Sequence, residues 1–261
     1  LAREWDITVI PCLITFGDET YRDEVDLPRQ AFYQRLRAAK TLPTTSAPSV
    51  GTFVEAYREL GRRTHTIISI HVASALTNIY NVARLAAESL PELDIRLVDS
   101  RQVSMCTGMV ALMAARLAEE RTPVIEIISH LQEMIPRLRL VAALDTLEFL
   151  HRGGRVSWAA SMLGSLIDLK LVVELKDASL RLLDKVRGRR KSLLRMIQHV
   201  LEGGPLERVA LLHADAADDA AEVRRLFAPY VPPSGMIETE AGATIGTHAG
   251  PGAVGFCILT H

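Results

Sequence analysis

The sequence predicts a two-domain α/β protein, with a parallel, doubly wound sheet over residues 1–138 and a mixed α/β unit over residues 139–261. Three observations carry that expectation. Short β-branched runs alternate with amphipathic stretches through the first half, the pattern of parallel strands joined by crossover helices. Past residue 139, two apolar runs are separated only by Lys176, Asp177, Ala178 and Ser179. That is hairpin spacing and brings in antiparallel pairing. The chain has 261 residues, 48% of them hydrophobic and 23% charged, which allows a large core and exceeds a typical single domain.

Taken in order, residues 1–5 read as a helix end, so an element is expected ahead of them. Residues 7–16 (ITVIPCLITF) are apolar and β-branched and predict a strand, with Pro11 marking an edge or bend. Residues 28–39 are charged, with Phe32 and Leu36 one turn apart, and predict a short helix. Phe53, Ala56, Tyr57 and Leu60 fall at i, i+3, i+4 and i+7, the stripe of another helix. Residues 66–71 (TIISIH) predict a buried strand, followed by a helix carrying Tyr80, Ala83, Ala87 and Leu90. Residues 95–99 and 108–119 repeat the strand–helix unit, and 124–138 predict one more helix. Further strands are expected at 140–144, 171–175, 180–183, 209–213 and 254–259, with a helix at 217–228. Pro232-Pro233-Ser234-Gly235 is the late loop signal.

Composition narrows the function. A net charge of -1 and a pI near 6.8 leave no basic stripe and argue against a dedicated nucleic-acid binder. Apolar runs such as 7–14 are too short to span a bilayer and no signal peptide is visible, so no integral membrane segment and a cytoplasmic location are expected. Cys12, Cys106 and Cys257 lie in apolar stretches without CxxC spacing and read as buried thiols in a reducing compartment. Aromatic residues make up only 5% of the chain, which has 7 Met, so the core is aliphatic. GxSxG, HExxH and CxxC signatures are absent from the sequence.

Several stretches can carry chemistry. Pro43-Thr44-Thr45-Ser46-Ala47-Pro48-Ser49 precedes a helix, where hydroxyls either cap free amides or help form an anion site at the helix start. Ser74, with Thr77 and Asn78, follows a strand at the end where open α/β sheets bind ligands. His151-Arg152-Gly153-Gly154-Arg155 is either a solvated helix end or a pair of arginines gripping an anion around a glycine hinge. Arg187, Arg189, Arg190 and Lys191 read as a solvated face or a phosphate or partner contact. Residues 242–255 (GATIGTHAGPGAVG) satisfy GxGxxG loosely, but they lead into a strand rather than a helix, so a dinucleotide site is rejected. That tract reads as a glycine-rich turn presenting Thr247 and His248. His213, Asp215, Asp218 and Asp219 could suggest a metal, but Asp215 or its neighbours are expected instead to cap and charge the start of the helix at 217–228.

Together these motifs resemble the DegV family of bacterial fatty-acid-binding proteins. The first tract matches a family pattern close to PTTSQPS, and residues 70–80 match one close to IxISSxLSGTY. Val98-Asp99-Ser100, residues 147–157, Lys185-Val186-Arg187-Gly188 and Thr247-His248-Ala249-Gly250-Pro251-Gly252 follow in family order. The resemblance implies a two-domain DegV-like fold with an N-terminal, parallel, Rossmann-like sheet. It also implies one long-chain fatty acid, such as palmitate, stearate or oleate, in a buried tunnel, and no cofactor. In the FakB-like role the protein is a non-catalytic subunit that presents the carboxylate to an ATP-dependent fatty acid kinase for acyl-phosphate formation, with transient contact at a membrane surface.

Carried over by position, Thr45, Ser46 and Ser74 would hold the carboxylate, joined by His248 and Thr247. Arg152, Arg155 and Arg187 would form the basic surroundings for head group, phosphate or partner. Met105, Trp158 and Met162 would line the acyl chain, with Met109 and Met113 in the core. Two departures stand out. The family opens with a strand ending in Asp-Ser, and this chain begins after it, so one wall of the head-group site is expected outside it. Ala73-Ser74 and Thr77-Asn78-Ile79-Tyr80 stand where the family has Ser-Ser and Ser-Gly-Thr-Tyr, which favours Ser74 over Thr77. The rival reading is a small-molecule hydrolase or transferase using His248 beside a Thr45 or Ser46 hydroxyl.

Overall fold

The computed structural model describes residues 1–154 and 169–261. Strand β1 (Leu13–Phe16) turns through Gly17, at φ +58°, and pairs antiparallel with β2 (Glu19–Arg22). Helix α1 (Arg29–Ala38) begins after Pro28 and buries Phe32, Tyr33 and Leu36. The chain returns as β3 (Thr44–Ser46), antiparallel to β1, so this small sheet has the order β2-β1-β3. The strand expected over residues 7–16 is thus only its last four residues, and it lies outside the parallel sheet. Residues 7–12 pair with no strand. Pro11 has no N–H to give a ladder, and the Cys12 carbonyl instead accepts from Asp23 N–H at 2.9 Å.

Next come α2 (Val50–Gly61), β4 (Thr66–His71), α3 (Ile79–Glu88), β5 (Asp94–Asp99), α4 (Ser104–Glu119) and α5 (Val124–Met134). Strands β4 and β5 pair parallel, from Thr66↔Asp94 to His71↔Asp99. Ile67 packs with Phe53, Tyr57, Ala83 and Ala86 of α2 and α3, whereas Ile68 and Ile70 turn to the cluster around α4. Alternate residues of one strand therefore meet helices on opposite faces, as a doubly wound sheet requires. The helix expected to reach 138 stops at Met134. Pro136 lies in a 3₁₀ turn, and Leu138 already opens the next strand.

The remaining elements are β6 (Leu138–Leu144), α6 (Glu148–Gly153), β7 (Leu169–Lys176), β8 (Ser179–Arg187), α7 (Arg189–Leu201), β9 (Leu206–His213), α8 (Ala217–Phe227), β10 (Met236–Glu240), α9 (Ala243–Ala249) and β11 (Val254–Thr260). Among the described residues they form a six-stranded sheet of order β10-β9-β11-β6-β7-β8, with β9 and β10 parallel and the other neighbours antiparallel. The β7–β8 hairpin is tighter than its sequence spacing suggests. Lys176 pairs with Ser179, leaving Asp177 and Ala178 in the turn at φ +49° and +59°. Two positive φ values match the twist of the strands, as in a type I′ turn.

One face of this sheet packs Val141, Val172 and Phe256 against α7 and α8. On the other face, Ala210, Cys257 and Leu259 meet α4 and α5, while Ala142, Leu144, Leu171 and Val173 meet β1 and α1. Helix α9 joins that second cluster, and Gly246 is what lets it approach α1: a Cβ there would stand 2.7 Å from the Phe32 ring and 2.8 Å from the Tyr33 hydroxyl. Among the described residues, no helix is long and apolar enough to cross a membrane.

Candidate functional site

The site is assembled from an edge strand and a short helix. In β3, side chains alternate: Thr44 and Ser46 are exposed, while Thr45 is half-buried and directly opposite Ile14, which is fully buried. Cross-strand partners share a face, so Thr45 faces the second cluster and Ser46 faces away from it. Helix α9 occupies residues 243–249 of the tract expected as a glycine-rich turn and corrects that expectation there, while Gly250 and Gly252, at φ +77° and +83°, keep a turn ahead of β11. His248 lies in its last turn, with Nε2 2.9 Å from Thr45 Oγ1.

Two glycines close the approach around this pair. A Cβ on Gly153 would stand 2.6 Å from Nδ1 of His248, and one on Gly250 would stand 2.3 Å from the Phe149 ring. The His-Arg-Gly-Gly turn at the end of α6 is thus packed directly on α9. Arg152, beside that contact, is exposed and pairs with Glu148 at 3.0 Å. Arg155, Trp158 and Met162 lie outside the described residues.

The other expected site residues take different places. Thr247 is buried, and its hydroxyl donates to the Ala243 carbonyl at 2.8 Å, bonding back within the helix rather than outwards. Ser74 is exposed after β4. Its hydroxyl donates to Asp99 at 2.6 Å and its N–H to both Asp99 oxygens at 3.3 Å. Ser49, not Thr45 or Ser46, caps α2, accepting from Thr52 N–H at 3.1 Å. Arg187 is exposed at the end of β8. Met105 is half-buried on the α4 cluster with Met109 and Met113.

Three further expectations change. Arg189 is not a solvated cation: it donates to Asp219 at 2.8 Å and to the Gly252 carbonyl, bracing the loop after α9. Asp215 does not cap α8 but accepts from Arg37 Nε at 2.6 Å, while its neighbours Asp218 and Asp219 charge the first turn of that helix as expected. Cys106 and Cys257 are buried as expected, but Cys12 is only half-buried. Burial pushes the Cys12 and Cys106 thiols above their ordinary range. Among the described residues, no group of His, Cys, Asp and Glu could hold a metal ion.

Two groups escaped the sequence. Between α2 and β4, Tyr57 hydroxyl, Ser69 hydroxyl and His71 Nε2 form a chain of hydrogen bonds of 2.8 and 2.9 Å. Burial lowers His71 to about 4, with the Asp99 charge opposing the shift. His71 is therefore neutral at pH 7. A period-2 strand puts Ser69 and His71 on one face, which is the only local hint. The second group is Asp23, which follows β2 and caps α9 from 220 positions away: Ala243 N–H donates to Oδ1 at 3.1 Å. Nothing in its neighbourhood in sequence signals this.

A family model described as "Uncharacterised protein, DegV family" matches residues 1–261. Protein DegV of Bacillus subtilis is 33% identical over 262 residues, covering 98% of this chain and 93% of that protein. A DegV domain-containing protein of Caldanaerobacter subterraneus is also 33% identical, over 258 residues, covering 98% of this chain and 92% of its own. Among solved structures, a DegV family protein of Thermus thermophilus, described by its fatty acid binding, superposes with a TM-score of 0.92 at 28% identity, covering 100% and 94% of the two chains. DegV of Bacillus subtilis, described as a fatty acid binding protein, superposes with a TM-score of 0.88 at 32% identity, again over 100% and 94%.

Proposed function

The chain belongs to the DegV family, and from that premise we propose that it is a carrier for one long-chain fatty acid, whose carboxylate is held at the Thr45–His248 pair. The observation that carries this reading is the 2.9 Å contact between those side chains beside an apolar cluster. Relatives described as fatty-acid-binding proteins support it. A carboxylate needs donors. With the proton on Nε2, His248 donates to Thr45 and leaves the Thr45 hydroxyl proton for the ligand. The acyl chain lies in a tunnel along the half-buried Leu140, Leu180 and Leu182, which border the same cluster.

Affinity on this reading comes mainly from the chain. Burial contributes roughly 0.8 kcal/mol per methylene, so ~14 methylenes supply about 11 kcal/mol before ordering costs. The polar pair orients the head group, because a buried carboxylate without partners is costly. Presentation to an ATP-dependent kinase subunit fits the exposed Arg152 and Arg187, which can receive a phosphate or an acidic partner surface. Ser74 serves as a second head-group contact by turning its hydroxyl proton from Asp99 to the ligand, and Ser46 acts through its backbone.

The hydrolase or transferase reading uses the same distance, with His248 as base and Thr45 as nucleophile. One experiment separates the two. Protein purified without added lipid is extracted and the extract identified by mass spectrometry. The carrier reading expects a co-purifying long-chain fatty acid. A lipid-free protein that fails to take up oleate and turns over esters would sink it.

A further inference from the structure

Helix α9 is weak on its own terms. It has seven residues, ATIGTHA, and between its two terminal alanines Gly246, two threonines and Ile245 are not strong helix formers. Isolated helices of that length do not hold in water. Its N-cap is Gly242, which brings no side chain, so its first amides need partners from elsewhere.

Asp23 supplies them. Besides the bond from Ala243, its Oδ2 accepts from Thr244 N–H at 2.9 Å and from the Thr244 hydroxyl at 2.6 Å. A carboxylate also suits the positive end of a helix. Asp23 is itself fixed, since it follows β2 directly and its N–H is tied to Cys12, just ahead of β1. The sheet order is β2-β1-β3. One edge of this small sheet therefore carries Thr45, and the other leads into the carboxylate that holds the helix bearing His248. Both halves of the candidate site are referenced to one frame.

We propose that Asp23 is a positioning residue: it clamps the first turn of α9 to the β2-β1-β3 sheet and so sets His248 against Thr45. The effect on ligand affinity rests on the fatty-acid reading, whereas the effect on the His248 ring does not.

The test uses the full chain, delipidated, with ¹³C-labelled histidine rings, as wild type, Asp23→Ala, Asp23→Asn and Thr244→Val. The His248 ring resonance is assigned from the spectrum of His248→Gln, and oleate affinity is measured by titration. In Asp23→Ala, the His248 resonance is expected to move more than those of the other seven histidines, and oleate affinity to fall about tenfold. Asp23→Asn, which keeps one accepting oxygen, should fall between that variant and wild type, as should Thr244→Val. If Asp23→Ala does not fold, these two milder variants supply both readouts. A folded variant set with a lower melting temperature but a wild-type His248 resonance and wild-type oleate affinity would overturn the proposal and leave Asp23 a stabilising cap. Should the wild type bind no oleate, the fatty-acid reading falls, and the ring resonance alone decides the role of Asp23.

Discussion

Thr45 and His248 are separated by 203 positions in the chain, yet Thr45 Oγ1 and His248 Nε2 are 2.9 Å apart. Each comes from an element too short to stand alone: a three-residue edge strand and a seven-residue helix. The contact therefore depends on what those elements are tied to.

Strand parity separates two adjacent hydroxyls. Thr45→Val keeps the branched shape but removes the group bonded to His248, and oleate affinity should drop about tenfold, or ~1.4 kcal/mol. Ser46→Ala removes a hydroxyl from the opposite face and should leave affinity within about twofold. Calorimetric titration of both variants is the check, and equal losses would contradict the assignment of faces.

The two glycines of the Gly153-Gly154 turn should respond differently. Gly153→Ala places a methyl 2.6 Å from Nδ1 of His248, so the ring must move and oleate binding should weaken severalfold. Gly154 sits at φ +66° with open space around its missing Cβ, so Gly154→Ala should cost about 1 kcal/mol of stability through backbone strain alone. Melting temperature and affinity measured side by side distinguish the two effects.

Buried His71 makes stability depend on acid. Its folded value is lowered from 6.5 to about 4, first by burial, so between those limits the unfolded chain binds a proton that the native protein does not. Stability from this group is complete above about pH 6.5 and declines by about 3 kcal/mol as pH falls towards 4. Urea unfolding of His71→Gln across pH 4.5 to 7 should show a flatter dependence than wild type. Parallel curves would remove His71 as the cause.

The hairpin turn carries a residue whose side chain disfavours its backbone. Ala178 sits at φ +59°, where a Cβ is penalised, and primed turns favour glycine at this position. Ala178→Gly should raise unfolding stability by roughly 0.5–1 kcal/mol, read as a higher urea midpoint with an unchanged slope.

Much of the architecture was legible in the sequence because periodicity reports which face of an element is buried. The run at residues 66–71 became β4 over those same residues, and the stripe of Phe53 and Tyr57 became the buried face of α2. The paired apolar runs after residue 170 became the β7–β8 hairpin. The family motifs likewise named both members of the Thr45–His248 pair. None of these readings needed to know what lay across the fold.

What escaped was decided by non-local partners. The apolar run at residues 7–16 could not show that only Leu13 to Phe16 would find strands to pair with. The glycine-rich tract became a helix because Asp23 satisfies its first amides and Gly246 admits the rings of α1. Arg189 read as solvated, and became a brace once Asp219 and the Gly252 carbonyl were folded beside it. Local pattern determined the elements and most of the candidate residues. Which hydroxyls face one another, and which instead close on their own backbone as Thr247 does, was decided only in the tertiary structure, because a hydrogen bond depends on distance and direction that sequence spacing does not encode.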